Sequence, residues 1–361
     1  MRGTASARKL TPNQSIERMP SRLGRLVTAH VKRSWTTSMK RAHVLHITPG
    51  ASDAGALRHS GLDLDEVLPF FDDLTIGPVP RLLDVRTWIQ TRIQPWPNMP
   101  NFPTVYEAVR QNGAHFLRFS EVHLWYVKDN LREVLAVLWI LNLPPESSPG
   151  LAAIRLREIA SHPGERPVTS LAALTPDAYT CVGARPVNPA YLHEARRAWE
   201  AFTAPTPSQL NGLLEKDMRA FQSIAKVLHQ YPSAETGLTH WEYELLARVT
   251  SHGPKAARII GNTLADSDDS VGDLHLFHLL LKLADPGLPS PLLRLEGSDT
   301  GMAEARCLLT QSGEAVLAGE ANRLDLNPVD IWAGGVHIHS PGHVYVKTGG
   351  RVERWAGEAA S

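Results

Sequence analysis

The fold is decided by one stretch, His43-Val-Leu-His-Ile-Thr-Pro-Gly-Ala-Ser-Asp-Ala-Gly-Ala-Leu-Arg58. Its first part, Val44–Thr48, is apolar and β-branched and stops at a Pro-Gly pair, which predicts a short buried strand. Ser52 or Asp53 can then cap a helix that continues to about Ser60. In an open α/β sheet such a strand–turn–helix junction binds ligands, because backbone N–H groups and the positive end of the helix converge there.

Strand-like and helix-like segments alternate after this stretch. This order indicates an α/β domain over residues 42–185, with a mainly parallel, Rossmann-like sheet. The segment Pro95–Pro103 interrupts the pattern, since its prolines cannot form regular structure. Beyond the first pair we predict strands at Glu66–Phe71, Val122–Tyr126 and Pro167–Ala173, and helices at Arg81–Gln94, Thr104–Asn112 and Asn130–Leu141.

The second half is predicted to be helical. Residues 186–235 form bridging helices, Asn188–Thr203 and Thr206–Gln230, and residues 236–356 form a winged-helix-like domain. In that domain a capping box at Thr239–Glu242 opens the first of three helices. The order of its elements is the three helices ending with Val271–Ala284, then strands Leu292–Glu296 and Ala305–Leu309, then helix Gln311–Gly319.

Winged-helix domains most often bind DNA, so the third helix must be checked for basic residues. It carries only one lysine, Lys282, and an acidic loop precedes it. Binding to the phosphate backbone needs several Lys or Arg contacts. Nucleic acid is therefore the less favoured partner, and we expect this half to serve in packing or in contact with another protein.

The composition of the 361 residues is that of an ordinary globular protein, with 43% hydrophobic and 20% charged residues. Lys plus Arg and Asp plus Glu are equal at 37 each, so no net charge attracts nucleic acid or an acidic membrane. Cys181 and Cys307 lack the spacing of a metal site or disulfide framework. The longest apolar run, around Val134–Leu143, is too short to cross a bilayer. We expect a cytoplasmic protein without membrane contact, and the sequence identifies no cofactor.

The first 41 residues differ from the rest. They hold ten Lys or Arg and one acidic residue, Glu17. A basic leader of this kind is typical of a nucleic-acid arm or a transit-like segment. The simpler interpretation, which we favour, is a disordered leader or a start codon assigned too far upstream. Met39 directly precedes the first strand and is then the expected start.

The turn after the first strand supplies the first group of candidate site residues. Gly50 and Ser52 could hold a phosphate through their backbone and hydroxyl groups. Ser52 would act as a nucleophile only with a base within reach, for which His46 and Asp72 are the candidates. A lone Gly-x-Ser turn is a weak signal, and a plain helix cap beside a packed histidine explains it equally well.

The second strand ends in the acidic pair Asp72-Asp73. Two carboxylates at a strand end could bind a divalent ion or supply a general base. Acidic residues before a Gly-Pro pair are also ordinary turn formers.

The third strand and the helix after it carry Trp125, Asp129, Asn130 and Glu133. Asn130 and Glu133 are three residues apart on the helix, so both could contact one ligand. The alternative is that Trp125 is a core residue and Asp129 caps the helix. Because the carboxyl ends of parallel strands share one edge of a sheet, we expect this group and the two before it to lie along the same edge.

Histidines supply the weakest candidates. His337, His339 and His343 lie in a β-type segment, where His337 and His339 share a face, so a zinc or nickel site is conceivable. No nearby cysteine or carboxylate completes such a site, and three exposed histidines are the simpler interpretation. His275 and His278 are expected to be solvated helix residues.

These motifs resemble two bacterial domain families. The first half resembles domain-of-unknown-function family 1835, and the second half resembles its usual companion, family 3658. The resemblance covers about residues 42–356 and implies an architecture but no activity. One departure is Ala51, where many relatives carry an acidic residue; here Asp53 follows two positions later. The motifs of the first half are Leu45-His46-Ile-x-x-Gly50-x-Ser52, Asp73-Leu-x-x-Gly77-Pro78, and Leu124-Trp125 with Asp129-Asn130-x-x-Glu133. Those of the second half are Tyr231-Pro-Ser-x-x-x-Gly237-Leu-Thr-x-x-Glu242, Leu309-Thr-x-x-Gly313-x-x-Val-Leu317, Asp330-x-Trp332-x-Gly334-Gly335-Val-His337 and Arg354-Trp355.

Two functions are compatible with these features. The first is binding of a small phosphate-bearing or nucleotide-like ligand at the strand ends, with or without hydrolase or transferase chemistry. The second is a non-enzymatic regulatory or protein-interaction module that uses the winged-helix-like half. The first requires Ser52, Asp72 and Asn130 to converge. The second requires an exposed basic or apolar patch on the helix Val271–Ala284.

Overall fold

A computed structural model of the protein shows a five-stranded sheet in the first half of the chain, with strand order β2-β1-β3-β4-β5. Strands β1 to β4 run parallel, and β5 pairs antiparallel with β4. The mainly parallel sheet is thus confirmed. The strands are β1 Val44–Thr48, β2 Glu66–Pro69, β3 Glu121–Val127, β4 Ile154–Ile159 and β5 Arg185–Pro186.

The structure describes residues 43–81, 85–93, 104–110, 113–160, 168–216, 218–269, 271–298 and 301–356. The predicted leader, residues 1–41, and the predicted irregular segment Pro95–Pro103 lie outside these ranges. From Arg41 onward the chain is one compact unit.

Helices cover both faces of the sheet. The helices described in this half are α1 Ala51–Arg58, α2 Val85–Ile93, α3 Val105–Arg110, α4 Leu131–Leu141, α5 Pro176–Cys181, α6 Pro189–Phe202 and α7 Ser208–Leu214. Side chains alternate between faces along a strand. Leu45 and Ile47 therefore join the large core that α4 fills, whereas Trp125 belongs to a smaller cluster with Ala54 and Leu57 of α1 on the other face.

Two predicted elements are wrong. Residues 168–173 of the predicted strand Pro167–Ala173 are not a strand, since Leu171–Ala173 form one turn of 3-10 helix; the fourth strand is β4. The sequence of β4, Ile-Arg-Leu-Arg-Glu-Ile, does not predict a buried strand, because half of its residues are charged. The predicted helix Thr206–Gln230 is also not continuous, because α7 ends at Leu214 and residues 222–230 form a 3-10 helix. One apolar stripe runs through both pieces, so the pattern does not reveal the break.

The second half begins with three helices, α8 His240–His252, α9 Ala256–Ala265 and α10 Asp273–Leu283. An antiparallel hairpin follows, β6 Leu293–Glu296 with β7 Arg306–Leu309, and then α11 Gln311–Leu317. This is the predicted order. The capping box is confirmed, since the backbone of Thr239 donates to Glu242 and the backbone of Glu242 donates to the Thr239 hydroxyl.

The last part of the chain packs with the first core. It contains α12 Arg323–Leu326 and the strands β8 Asp330–Ala333, β9 Val336–His339, β10 Tyr345–Thr348 and β11 Arg351–Arg354. Val329, Ala333, Val336 and Ile338 belong to the core of the sheet half, while α8 to α11 build a second core around Leu245. Within the residues described, no helix is both long and apolar enough to cross a membrane.

Candidate functional site

The carboxyl ends of β1, β2 and β3 lie side by side, because the three parallel strands are neighbours in the order β2-β1-β3. The three predicted groups of polar residues therefore follow strands that end at one edge of the sheet. The chain connections change direction between β1 and β3, and open α/β sheets bind ligands at such a point. The side chains at this edge nevertheless take part in separate interactions.

The groups after β1 and β3 bind the chain's own backbone. One carboxylate oxygen of Glu133 accepts a hydrogen bond from the amide of Val127 at 2.7 Å, and the other accepts one from the amide of Leu171 at 2.9 Å. The Asn130 side chain donates to the carbonyl of Thr169 at 2.8 Å, and Asp53 accepts from the amide of Ala172 at 2.9 Å. Asp53, Asn130 and Glu133 thus hold residues 168–173, which we call the strap, across this edge.

The helix caps at the edge differ from those predicted. Asn130, and not Asp129, caps α4, since its side-chain oxygen accepts from the amide of Glu133 at 3.2 Å. The N-cap of α1 is Gly50, without a side-chain hydrogen bond, so neither Ser52 nor Asp53 is the cap. Of the predicted ligand-binding residues here, Asn130 and Glu133 hold the strap.

The carboxylates under the strap share one electrostatic environment. Burial, and then the neighbouring Asp53 carboxylate, raise the pKa of Glu133 to about 8. Burial also raises the pKa of Asp53, against the attraction of Arg132. Arg132 lies so close to Gly50 that a side-chain carbon at position 50 would be 2.5 Å from its guanidinium, so a larger residue there would require Arg132 to move. Sequence reasoning missed Arg132, although a cation in the first turn of a helix opposes the helix dipole and so indicates a specific partner.

His46 and Trp125 form a buried pair. The Trp125 indole donates to Nδ1 of His46 at 3.0 Å, and the imidazole packs edge-on against His123. Burial, followed by the charges of His123 and Arg157, lowers the pKa of His46 to about 4. Ser52 is exposed, and no hydrogen bond among the described residues joins it to His46 or Asp72. A catalytic role of Ser52 stays a prediction.

Asp72 is buried in an ion pair. Nε and Nη2 of Arg92 donate to its two carboxylate oxygens at 2.8 Å each, and the Tyr106 hydroxyl donates to one of them. Both charged side chains are fully buried. Arg92 also donates to the carbonyls of Ile76 at 2.6 Å and Pro78 at 2.8 Å. The pair therefore fixes the loop that follows β2.

Asp73 forms a turn in the same loop. Its carboxylate accepts from the amide of Thr75 at 3.0 Å and from the Thr75 hydroxyl at 2.6 Å. This geometry agrees with the turn-forming interpretation of the acidic pair.

A cleft of about 420 Å³, the first cleft, lies between this loop and the second half of the chain. The loop contributes residues 75–77, and further residues come from α8, α10, β8 and the 222–230 segment. Its apolar walls include Ile76, Trp241, Leu279 and Trp332. Its basic and imidazole groups on α10 are His275, His278 and Lys282.

The charged groups around the first cleft differ in how far they are neutralised. Glu242 accepts from the Thr239 amide at 2.8 Å and lies 3.6 Å from the Arg323 guanidinium. Asp330 is paired with His337 at 2.7 Å. Lys282 has no ion-pair partner among the residues that the structure covers. Lys282 is therefore the cation at this cleft with the most freedom to bind an anion.

His275 is not the solvated residue expected from the sequence. Burial lowers its pKa to about 4, with Asp73 acting in the opposite direction and His278 and Lys282 in the same one. The imidazole is therefore neutral near pH 7 and can donate one hydrogen bond and accept another. The loop after β2 faces α10 across the first cleft, so the sequence of α10 alone does not predict the burial of His275.

The histidine run lies on β9 and beyond it. His337 stacks on Trp332 with ring centroids 4.3 Å apart, and its centroid lies 4.5 Å from that of His339. His339 and His343 are 6.5 Å apart between centroids. Over the described ranges, no three His, Cys, Asp or Glu side chains are placed to hold a metal ion.

No protein-family model matches the chain, and no curated protein is similar enough in sequence to count as a match. The resemblance to families 1835 and 3658 stays a prediction.

Proposed function

We propose that the protein binds a small phosphate-bearing, nucleotide-like ligand in the first cleft, beside the carboxyl end of β2. The observation that carries this proposal is the combination, in one cleft, of two indole side chains with a lysine that has no ion-pair partner among the described residues. Trp241 and Trp332 supply the indoles, and Lys282 supplies the charge.

The size and chemistry of the cleft suit such a ligand. Small-molecule sites typically enclose about 300–1,000 Å³ and combine apolar walls with a few polar groups, and this cleft encloses about 420 Å³. A base stacked on an aromatic side chain contributes about 1–3 kcal/mol. Lys282 and His278 lie one helical turn apart, so both can reach one phosphate group. Glu242 and Asp330 repel it less because each already has a cationic or imidazole partner.

The β1–β3 edge is the less favoured location for the same ligand. Its best-placed polar groups, Asp53, Asn130 and Glu133, hold the strap. The side chains of Ser52 and Asp129 have no hydrogen-bond partner among the described residues, so this edge is tested in parallel through them.

Replacing Lys282 with alanine is expected to weaken binding of ADP at least tenfold, because a hydrogen bond to a charged group contributes about 1.5–3 kcal/mol. Isothermal titration calorimetry at pH 7.5 measures this, after a thermal-shift screen of nucleotides. Lys255→Ala removes an exposed lysine elsewhere in the same half and is the matched control.

Three results would count against the first cleft. They are absence of nucleotide binding at millimolar concentration, equal affinities of the Lys282 and Lys255 variants, and loss of binding in a Ser52→Ala, Asp129→Asn double variant only. The third result would place the ligand at the β1–β3 edge. The proposal concerns binding and names no reaction.

A second candidate function is a protein-interaction module built on the second half. One observation favours it: α10 exposes Leu274 (68%) and Leu281 (38%), one apolar stripe at a spacing of seven residues. In this second candidate function, α8 to α11 and the β6–β7 hairpin together form a winged-helix-like interaction module. A salt-dependent gel shift with generic duplex DNA would instead favour nucleic-acid binding.

We also propose that the sheet is Rossmann-like and that the protein is cytoplasmic. The strand order supports a Rossmann-like sheet. Two free cysteines, Cys181 and Cys307, support a cytoplasmic location, since thiols persist in reducing compartments.

A further inference from the structure

A second cleft, of about 990 Å³, adjoins the first along α10. The two clefts share two lining residues, His278 and Lys282. These are the two residues of the helix best suited to bind an anion where the clefts meet. The helix carries no acidic residue after Asp273, and the nearest carboxylate beyond it, Asp285, lines the second cleft and accepts a hydrogen bond from the amide of Gly287 at 2.8 Å.

The second cleft differs in chemistry from the first. Leu281, Leu295 and Pro291 contribute apolar surface, and Ser312 contributes a hydroxyl group. Arg294 lies on its rim with 68% of its side chain exposed, and Glu296 pairs with it at 3.2 Å. Of the residues that the structure describes, no tryptophan lines this cleft. It therefore suits a group that is partly apolar and carries hydroxyls better than it suits a second base.

We propose that the two clefts bind one ligand, a nucleoside diphosphate whose terminal phosphate is joined to a second group. The nucleoside lies in the first cleft, the diphosphate crosses His278 and Lys282, and the second group lies in the second cleft. This inference rests on the proposed function, since it assigns the first cleft to the nucleoside. It adds to the proposed function the second group of the ligand, which a plain nucleotide lacks.

The shared residues are the reason for choosing a diphosphate conjugate. A mononucleotide would occupy the first cleft and leave the second without a role. A ligand that reaches the second cleft has to pass His278 and Lys282, which lie about 5–6 Å apart between Cβ atoms at a spacing of four residues. Two linked phosphates present anionic oxygens to both side chains at once.

The experiment compares conjugates with the matching plain nucleotides by calorimetry on the full chain. The probes are ADP against ADP-ribose, and UDP against UDP-glucose. At least one conjugate is expected to bind about tenfold more tightly than its parent nucleotide, because the second group adds contacts. Gln311→Trp places a large side chain in the second cleft and should bring the conjugate to the affinity of the parent while leaving the parent unchanged.

Two controls accompany that variant. Glu314→Trp carries the same substitution on an exposed position of α11 that does not line the cleft, and it should keep the preference for the conjugate. Arg294→Ala should reduce the preference, whereas Arg306→Ala, which removes the other arginine near Glu296, should not. These exposed positions keep the test informative if Gln311→Trp folds poorly.

The outcomes separate this inference from the proposed function. If ADP or UDP binds and loses affinity in Lys282→Ala, but no conjugate binds more tightly, the first cleft stands and the second is not part of the site. A preference that survives both Gln311→Trp and Arg294→Ala has the same meaning. If neither nucleotides nor conjugates bind, both proposals fail.

Discussion

Replacement of Asp72 with alanine is expected to lower the free energy of unfolding by about 3–5 kcal/mol, the range for breaking a fully buried ion pair from one side. The variant leaves the Arg92 guanidinium charged and without its carboxylate in a site from which water is excluded. It also leaves the Tyr106 hydroxyl without its acceptor. Urea denaturation followed by circular dichroism at pH 7 measures the change.

The matched control is a surface pair of the same chemistry. Arg110 and Glu107 lie 3.4 Å apart with 59% and 47% of their side chains exposed. Glu107→Ala is therefore expected to change the free energy of unfolding by less than about 1 kcal/mol. A similarly small effect of Asp72→Ala would mean that Arg92 finds another partner or water in the folded protein. A double variant, Asp72→Leu with Arg92→Met, leaves no buried charge. It also removes the donors to the carbonyls of Asp73, Ile76 and Pro78, so it should recover only part of the loss.

The same variant links stability to the proposed site. Arg92 donates to the carbonyls of Asp73, Ile76 and Pro78, and these residues border or form one wall of the first cleft. Loss of the carboxylate frees the arginine to move away from those carbonyls. Asp72→Ala should therefore weaken nucleotide binding even at temperatures where the chain is still folded. Asp72 would then act as a positioning residue.

The sheet edge could be predicted from the sequence because it follows from a local pattern and one topological rule. Val44–Thr48 and Val122–Tyr126 read as buried strands, each followed at once by a helix. A helical crossover returns the chain to the end of the sheet where the first strand began, so two strands joined in this way are parallel and end at the same edge. The helix caps Thr239 and Asn130 are also short-range sequence signals, although the sequence alone does not separate Asn130 from its neighbour Asp129 as the cap of α4.

The partners of the site residues could not be predicted, because they are distant in sequence and follow no period. Asp53 contacts the amide of Ala172, 119 residues away, and Asp72 binds Arg92 across 20 residues. The Pro167–Ala173 segment resembles a strand in sequence because of its apolar residues. Its role as the strap depends on carboxylates of two other elements. The first cleft is lined by residues from both halves of the chain, so no single stretch of sequence predicts it.

Glu133 is expected to make the stability of the folded protein fall as the pH rises from about 5 to about 8. The pKa of this group is raised to about 8 in the folded state, first by burial and then by Asp53, from a value of 4.5 in an exposed side chain. Between these two values the folded state holds a proton that the unfolded chain has lost. Stability from this proton is present at low pH and is lost as the pH passes through the folded pKa. The slope contributed by one such group is at most about 1.4 kcal/mol per pH unit.

Glu133→Gln should remove this contribution, because an amide does not titrate. The variant is also expected to be less stable than the wild type at pH 5, by about 1–3 kcal/mol, since the amide nitrogen faces one of the two backbone donors, Val127 or Leu171, and leaves it unsatisfied. The difference in the free energy of unfolding between the wild type and Glu133→Gln should become smaller toward pH 8. Urea denaturation at unit steps of pH measures both slopes, and amide hydrogen exchange at Leu171 and Ala172 reports directly on the strap.

Two further variants decide whether the slope belongs to Glu133. Asp53→Asn removes the neighbouring negative charge but keeps an oxygen that can accept from Ala172, so the pH at which stability falls should move down. Glu146→Gln removes an exposed carboxylate outside this cluster and should leave the slope as it is. Equal slopes in the wild type and Glu133→Gln would show that Glu133 stays ionised throughout. It would be held by the amides of Val127 and Leu171 and by the Asn130 side chain, which donates to it at 3.2 Å. In that case the strap is anchored by a permanent charge and is insensitive to pH in this range.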